Sequence, residues 1–121
     1  MNLNHLYLLV RDLERSRTFY ERYLGFNGPS EWQQETFVVR NADGFSLALT
    51  PDPDPPVWPR SLHFGFLLGD DVDAVRELHA RLQADGVLIV ESIFQARFAV
   101  FKFLDPDGYL IELEAGVPTF G

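Results

Sequence analysis

Three side chains of metal-binding type stand at matching positions in the chain. His5 opens an apolar stretch near the N-terminus, His63 opens a similar stretch in the second half, and Glu112 lies in the last apolar stretch. Two imidazoles and one carboxylate are the set that holds a divalent metal ion with open coordination positions. Such an ion polarises a carbonyl, binds an enolate or alkoxide, or acidifies bound water. The three residues therefore predict a catalytic metal centre.

The two halves of the chain repeat the same order of features, which indicates an internal duplication. His5 and His63 are 58 positions apart, the glycines that end the predicted helices are 61 apart, and the Asp-Gly pairs at 43–44 and 107–108 are 64 apart. A slowly growing offset is what a duplication with small loop insertions leaves. Duplicated modules tend to pack about a pseudo-twofold axis, so equivalent strands can deliver side chains to one point.

Ala48 occupies the position equivalent to Glu112 in the first half. An alanine there leaves the metal ion more open to substrate and water. Each histidine also has an ordinary interpretation, because a single histidine on a strand is usually a hydrogen-bonded structural residue. Glu112 could lie on a solvated face, but a carboxylate that faces a core is costly unless it is paired or bound to a metal. The joint placement of the three residues favours the metal site.

Hydrophobic patterning predicts the order βαβββ in each half. Asp12 and either Asp70 or Asp71 are plausible helix N-caps, and the first strand reads as buried on both faces. The expected fold class is α+β, with two tandem βαβββ modules. The predicted helices cover 13–24 and 72–84, and the predicted strands cover 3–10, 31–34, 36–41, 45–50, 61–68, 87–92, 97–104 and 109–115.

A proline-rich segment separates the two halves. Five of the eight prolines lie between residues 51 and 59, and such a run favours a stiff extended linker. The predicted organisation is one structural domain that contains a first module at 1–50, a linker at 51–60 and a second module at 61–121.

Composition limits the class of partner. The net charge is −8, from 10 basic and 18 acidic residues, which argues against nucleic acid or an anionic membrane as the partner. The chain has no cysteine, so it offers no disulfide and no thiolate site. No signal peptide or membrane span is predicted. We expect a cytoplasmic protein whose partner is a small molecule.

Six short segments along nearly the whole chain form a recognisable set: Asn4-His5, 11–16, 19–21, 24–26, 103–109 and Ile111-Glu112. These motifs resemble those of the vicinal oxygen chelate superfamily, which includes glyoxalase I, extradiol dioxygenases, fosfomycin-resistance thiol transferases and bleomycin-resistance proteins. The resemblance implies an open, barrel-like sheet cup around one divalent ion (Zn, Mn, Fe, Ni or Co), with His5, His63 and Glu112 at the ligand positions of the first, fifth and eighth strands.

The resemblance leaves the reaction type open among lyase or isomerase, dioxygenase and group-transfer chemistry. Ala48 stands where glyoxalase I usually supplies a fourth ligand, which counts against lactoylglutathione lyase activity. Ring-cleaving dioxygenases use further histidines, and the only other histidine, His79, is predicted on the exposed side of a helix. The alternative function is a metal-free drug-binding protein similar to the bleomycin-resistance proteins.

Tyr7 is the candidate catalytic side chain outside the ligand set. It lies two residues after His5 on the same strand face, where it could contact substrate or donate a proton, although a core aromatic is its more ordinary role. The resemblance also implies a homodimer, in which His5 joins His63 and Glu112 either of its own chain or of the partner chain. Further cavity-lining candidates, each more often structural, are Trp32, Phe37, Trp58, Arg60, Phe94, Arg97, Phe101 and Lys102.

Overall fold

Both halves of the chain fold as βαβββ, which confirms the predicted α+β class and the two modules. The structure is a computed structural model that describes residues 1–119. The first unit, Met1–Pro56, contains β1 His5–Val10, α1 Leu13–Leu24, β2 Glu31–Gln33, β3 Thr36–Arg40 and β4 Ser46–Pro51. The second unit, Val57–Gly121, contains β5 Phe64–Leu67, α2 Val72–Ala84, β6 Ile89–Gln95, β7 Phe98–Leu104 and β8 Leu110–Gly116.

The two sheets have the same topology. The strand order is β1-β4-β3-β2 in the first unit and β5-β8-β7-β6 in the second. In each sheet the first strand runs parallel to the last, and the remaining pairs are antiparallel. This shared arrangement supports the internal duplication that the sequence indicates.

Both helices span the predicted residues because their ends are specified locally. The Asp12 carboxylate accepts a hydrogen bond from the Arg15 N–H at 3.1 Å, and Asp71 accepts one from the Ala74 N–H at 3.0 Å. Each bond satisfies a backbone donor that the helix leaves unpaired. Gly25 ends α1 in the left-handed conformation, with φ 69°. Neither helix among residues 1–119 has the length and apolar character that crossing a bilayer requires.

Each sheet buries one face and leaves the other at least partly exposed. In the second unit α2 packs against β7 and β8, and the buried side chains include Val75, Leu78, Leu82, Phe101, Phe103, Ile111 and Leu113. In β1 the alternation gives a different result from the prediction, because Leu8 and Val10 are buried while His5 and Tyr7 are exposed. The prediction that this strand is buried on both faces was wrong: its face with His5 and Tyr7 is uncovered in the single chain.

Equivalent turns lead into the last strand of each unit. The Asn41 side-chain oxygen accepts hydrogen bonds from the N–H groups of residues 43 and 45 at 3.0 and 2.9 Å. The Asp105 carboxylate accepts from the N–H groups of residues 107 and 109, both at 2.9 Å. The second turn directly precedes β8 and so fixes where the strand that carries Glu112 begins.

The compact units divide within the proline-rich segment, between Pro56 and Val57. Strand β4 extends to Pro51, opposite Val10. Pro51 cannot donate a hydrogen bond, but the Asp52 N–H donates to the Val10 carbonyl at 2.8 Å. The predicted second module at 61–121 includes residues 120 and 121, which lie outside the described residues.

Candidate metal centre

Glu112 lies on β8 with a glycine directly beside it on the neighbouring strand. Its side chain is half-buried and alternates with the buried Ile111 and Leu113. The parallel register pairs Glu112 with Gly65 of β5. A Cβ atom added to Gly65 would stand 3.2 Å from the Glu112 Cβ and 3.5 Å from its Oε2. Gly65 therefore leaves space that the Glu112 carboxylate uses.

His63 precedes the first residue of β5 and shares a face with Gly65. Exposure alternates through this segment, because residues 63, 65 and 67 are exposed while Phe64 and Phe66 are half-buried. Since side chains along an extended chain alternate between faces, His63 lies on the face that carries Gly65 and Glu112. The second unit thus presents an imidazole and a carboxylate on one face.

His5 and Tyr7 share the exposed face of β1 in the first unit. The His5 Nδ1 is 2.8 Å from the Asn4 Oδ1. When this oxygen accepts the Nδ1 proton, Nε2 carries the lone pair that a metal ion requires, and metal-binding histidines are usually oriented by such a bond. Tyr7 as a whole residue is 56% exposed.

The register confirms that Ala48 and Glu112 occupy equivalent places. Tyr7 pairs with Ala48 in the first sheet, and Gly65 pairs with Glu112 in the second. In the first copy a large residue on the first strand, Tyr7, pairs with a small residue on the last strand, Ala48. In the second copy the small residue, Gly65, lies on the first strand and the large residue, Glu112, lies on the last.

The candidate ligands are divided between the two units. His5 belongs to the first unit, while His63 and Glu112 belong to the second. Within residues 1–119 the structure brings together no group of three or more histidine, aspartate or glutamate side chains that could hold a metal ion. The His63–Glu112 pair, with the space beside Gly65, has the donor chemistry that suits a divalent ion with further ligands.

His79 does not lie on the solvent side of its helix, so that prediction was wrong. Its ring is half-buried, with centroids 5.0 Å from those of both Phe94 and Phe101. Its Nε2 is 3.1 Å from the Ser92 Oγ. His79 therefore joins α2 to the helix-covered face of the sheet, opposite the face that carries Glu112.

The other residues that were predicted to line a cavity contact different neighbours. Trp32 packs against Phe37 with ring centroids 5.1 Å apart, and Trp58 packs against Tyr109 at 4.5 Å. A cavity of about 770 Å³ in the second unit contains Arg97 but none of the candidate metal ligands; its lining is Asp70, Asp71, Val72, Asp73, Ala96, Arg97, Val117, Pro118 and Thr119.

The sequence interpretation assigned no role to two residues on the face that carries Glu112, Gly65 and Glu91. A glycine within a strand signals close approach of another group, and this signal was available at Gly65. The Glu91 Oε2 lies 3.2 Å from the Lys102 Nζ. Local sequence patterns do not predict this contact, because it depends on the pairing of β6 with β7.

Comparison with known proteins identifies relatives along nearly the whole chain. Residues 2–113 match the family model described as the Glyoxalase/Bleomycin resistance protein/Dioxygenase superfamily. The chain is 31% identical over 119 residues to a protein of Serratia marcescens named glutathione transferase FosA, a match that covers 95% of this chain and 81% of the relative.

Solved structures share the fold. A possible glyoxalase from Bacillus cereus is 30% identical, with a TM-score of 0.76, and the match covers 93% of this chain and 97% of the other. The fosfomycin resistance protein FosX from Listeria monocytogenes, solved as an E126Q mutant with Mn(II) and 1S,2S-dihydroxypropylphosphonic acid, is 23% identical, with a TM-score of 0.75. That match covers 96% of this chain and 90% of the other.

Proposed function

Because the chain belongs to the Glyoxalase/Bleomycin resistance protein/Dioxygenase superfamily, we propose that it is a divalent-metal-dependent enzyme that acts on a small oxygen-bearing molecule. His5, His63 and Glu112 are the proposed ligands, and Tyr7 is the proposed substrate-contacting residue. When bound, the ion polarises a substrate oxygen and stabilises developing negative charge. His63 and Glu112 contribute one neutral donor and one carboxylate, and Tyr7 holds or donates a proton at its hydroxyl.

The position of Glu112 beside Gly65 carries this proposal. Glu112 is half-buried on the strand face opposite the one that buries Ile111 and Leu113, and a partly buried carboxylate is stabilised by a nearby cation or hydrogen-bond donor. The glycine keeps room on the side of the carboxylate oxygen, and His63 shares the same face. Glu112 and His63 would hold a divalent ion through one carboxylate and one imidazole, and the ion would supply the compensating positive charge.

Group transfer is the reaction type that the relatives support best. The Serratia marcescens relative at 31% identity is named a glutathione transferase, and the first-half alanine at position 48 leaves more open positions on the ion than a fourth ligand would. A screen would incubate metal-loaded protein with glutathione and a panel of small electrophiles and detect the adduct by mass spectrometry. Lyase, isomerase and dioxygenase substrates form the second panel of the same screen.

Metal content tests the proposed centre directly. We expect about one divalent ion per chain in wild type after loading with Mn, Zn, Fe(II), Ni or Co, and loss of that ion in His63→Ala and Glu112→Ala, because removing one of three ligands greatly weakens such a site. His79→Ala is the matched control, since this histidine contacts Ser92 and two phenylalanines instead. It should retain the ion.

Two outcomes of the metal measurement would contradict the proposed centre. If wild type takes up no stoichiometric ion from any loading, the proposed enzyme centre is wrong, and screening of drugs and aromatic metabolites for metal-free binding becomes the appropriate experiment. If His63→Ala and Glu112→Ala retain the ion as well as His79→Ala does, the ligands are elsewhere.

The proposed homodimer is tested with the same variants. Light scattering measures the mass of the wild-type particle. Hybrids that combine one His5→Ala chain with one Glu112→Ala chain keep one complete ligand set if each site draws on two chains, and none if each site lies in one chain. Metal content of the purified hybrid therefore distinguishes these arrangements.

A further inference from the structure

The connection between α1 and β2 contains the only Asn-Gly pair of the chain, Asn27-Gly28. Gly25 ends α1 and Phe26 turns back into the core, where it is 1% exposed, so that Asn27 lies on the surface. Within residues 1–119 the Asn27 side chain has no hydrogen-bond partner. Its amide is therefore free to react with the backbone nitrogen that follows it, and glycine at that position has no Cβ to obstruct the approach.

Attack of the Gly28 nitrogen on the Asn27 side chain leads to deamidation. A bond forms between the Gly28 nitrogen and the Asn27 Cγ, the Cγ–Nδ2 bond breaks, and the amide leaves as ammonia with the proton of the Gly28 N–H. Water then opens the cyclic succinimide at either carbonyl, which gives aspartate or isoaspartate. The reaction needs only water, and it adds a negative charge to a chain whose net charge is already −8.

The packing of this connection against β3 requires a glycine at position 28. The Gly28 N–H donates a hydrogen bond to the Arg40 carbonyl at 2.9 Å. A Cβ added to Gly28 would also stand 2.9 Å from that carbonyl oxygen, so any other residue would push the connection away from β3. Close packing therefore fixes the residue that makes Asn27 reactive, while the hydrogen bond holds the attacking nitrogen in place.

The Arg40 side chain restrains the same connection through two further hydrogen bonds. One guanidinium nitrogen, Nη1, donates to the Pro29 carbonyl at 3.2 Å, and Nη2 donates to the Glu31 Oε1 at 2.9 Å. The hydrogen bond from Arg40 holds the pKa of Glu31 below its usual range. Glu31 is therefore ionised at neutral and alkaline pH, where a backbone nitrogen loses its proton more readily, and the restraint is present under the conditions that favour the reaction.

We propose that Asn27 is a site of spontaneous deamidation and that Arg40 controls its rate by holding Gly28 and Pro29 against β3. The Gly28 N–H must leave the Arg40 carbonyl before its nitrogen turns toward the Asn27 Cγ. Folded proteins open such segments locally at free energies below that of global unfolding. The rate in the folded chain is then the rate in the unfolded chain multiplied by the fraction of molecules in which the connection is open. This inference is independent of the metal centre.

Incubation at mildly alkaline pH, followed by proteolysis and peptide mass spectrometry, measures the conversion of residue 27, because a carboxyl group is heavier than an amide. We expect the folded wild type to react about 10-fold or more slowly than the chain unfolded in guanidinium chloride. Arg40→Met should raise the rate in the folded chain about 5-fold, because it removes hydrogen bonds that close the connection. Arg76→Met is the matched control, since Arg76 donates to the Gln95 carbonyl at 2.9 Å in the second unit, and its rate should equal that of wild type.

Each part of the inference has a result that overturns it. No conversion of residue 27 in the unfolded chain overturns the site. Equal rates in folded and unfolded wild type overturn the protection by the fold. Equal rates in Arg40→Met and wild type, or an equal rise in Arg76→Met, overturn the role of Arg40.

Two further variants keep the measurement decisive. If Arg40→Met does not fold, judged by circular dichroism, Glu31→Ala removes one acceptor of Arg40 from an exposed strand. Its rate should rise roughly 2-fold, the size expected for loss of an exposed ion pair, and an unchanged rate overturns the role of Arg40. Asn27→Gln has a longer side chain that closes the ring far less readily, so it should remain unmodified. The same gain in mass in Asn27→Gln would place the reaction at another residue and overturn the site.

Discussion

Gly65 determines how much room the Glu112 carboxylate has. An added Cβ would lie 3.0 Å from the Glu112 carbonyl oxygen and 3.2 Å from its Cβ, which is tighter than ordinary van der Waals contact. Gly65→Ala should therefore displace the Glu112 side chain without removing any ligand. We expect metal affinity to fall about 10-fold or more, the size of effect that disturbing the support of a ligand produces.

Competition with a chelating dye measures that change in metal affinity. Leu67→Ala is the control, because Leu67 is the next residue on the same face of β5 and is 67% exposed. Its metal affinity should stay close to that of wild type. Equal affinity in Gly65→Ala and wild type would show that the space beside the carboxylate does not matter for the ion.

Helices and strands were predictable from the sequence where residues within or beside the element specify its ends. Asp12 and Asp71 cap their helices and Gly25 ends the first, so the sequence alone defines 13–24 and 72–84. The strands were located to within about three residues at each end, the uncertainty that is usual for element boundaries. The equivalence of position 48 with position 112 also followed from the sequence, because the Asp-Gly turns align the two copies.

Contacts that depend on pairing between distant strands were not predictable in the same way. The alignment of Glu91 with Lys102 and of Gly65 with Glu112 follows from register, which tertiary packing sets. His79 shows the same limit: helical spacing alone did not reveal that Ser92, Phe94 and Phe101 surround its ring. The exposure of His5 and Tyr7 likewise depends on what covers their face of the sheet.

The turn before β8 supports the strand that carries Glu112. Asp105 is 5% exposed, and its carboxylate accepts two backbone hydrogen bonds at 2.9 Å. Asp105→Ala leaves these buried donors without that acceptor, so the free energy of unfolding should fall by about 2–3 kcal/mol. Asp105→Asn should cost less, because Asn41 forms the equivalent turn in the first unit with an amide oxygen.

Urea unfolding monitored by fluorescence measures both Asp105 variants, with Asn41→Ala as the matched variant in the first unit. Asn41 is half-buried, so Asn41→Ala should destabilise the protein less than Asp105→Ala does. Equal free energies of unfolding for Asp105→Ala and wild type would mean that water or a neighbouring group replaces the lost acceptor.

The charge of the whole molecule affects binding of the proposed metal ion. A net charge of −8 attracts divalent cations to the surface in general and repels small anions at long range. Weak association of cations with scattered carboxylates must also be separated from binding at one defined site, and ionic strength provides that separation because salt screens exposed charges.

Metal-linked stability tests the defined site at the scale of the whole protein. An ion that binds only the folded state at about 100 times its Kd raises the free energy of unfolding by about 2.7 kcal/mol. We expect the loading metal to raise the Tm of wild type at an ionic strength of about 0.15 M, where diffuse association is largely screened, and a chelator to reverse the rise. Differential scanning calorimetry of metal-loaded and chelator-treated samples measures both changes.

The ligand variants determine where this stabilisation arises. His63→Ala and Glu112→Ala should have a Tm that is insensitive to the metal, while His79→Ala should begin from a lower Tm, since it loses contacts with two phenylalanines, and still respond by the wild-type increment. A metal-dependent rise of equal size in all three variants would assign the binding energy to carboxylates elsewhere on the acidic surface. Because unfolding releases the ion whichever chain supplies His5, this measurement tests the ligand set independently of how the two units are arranged.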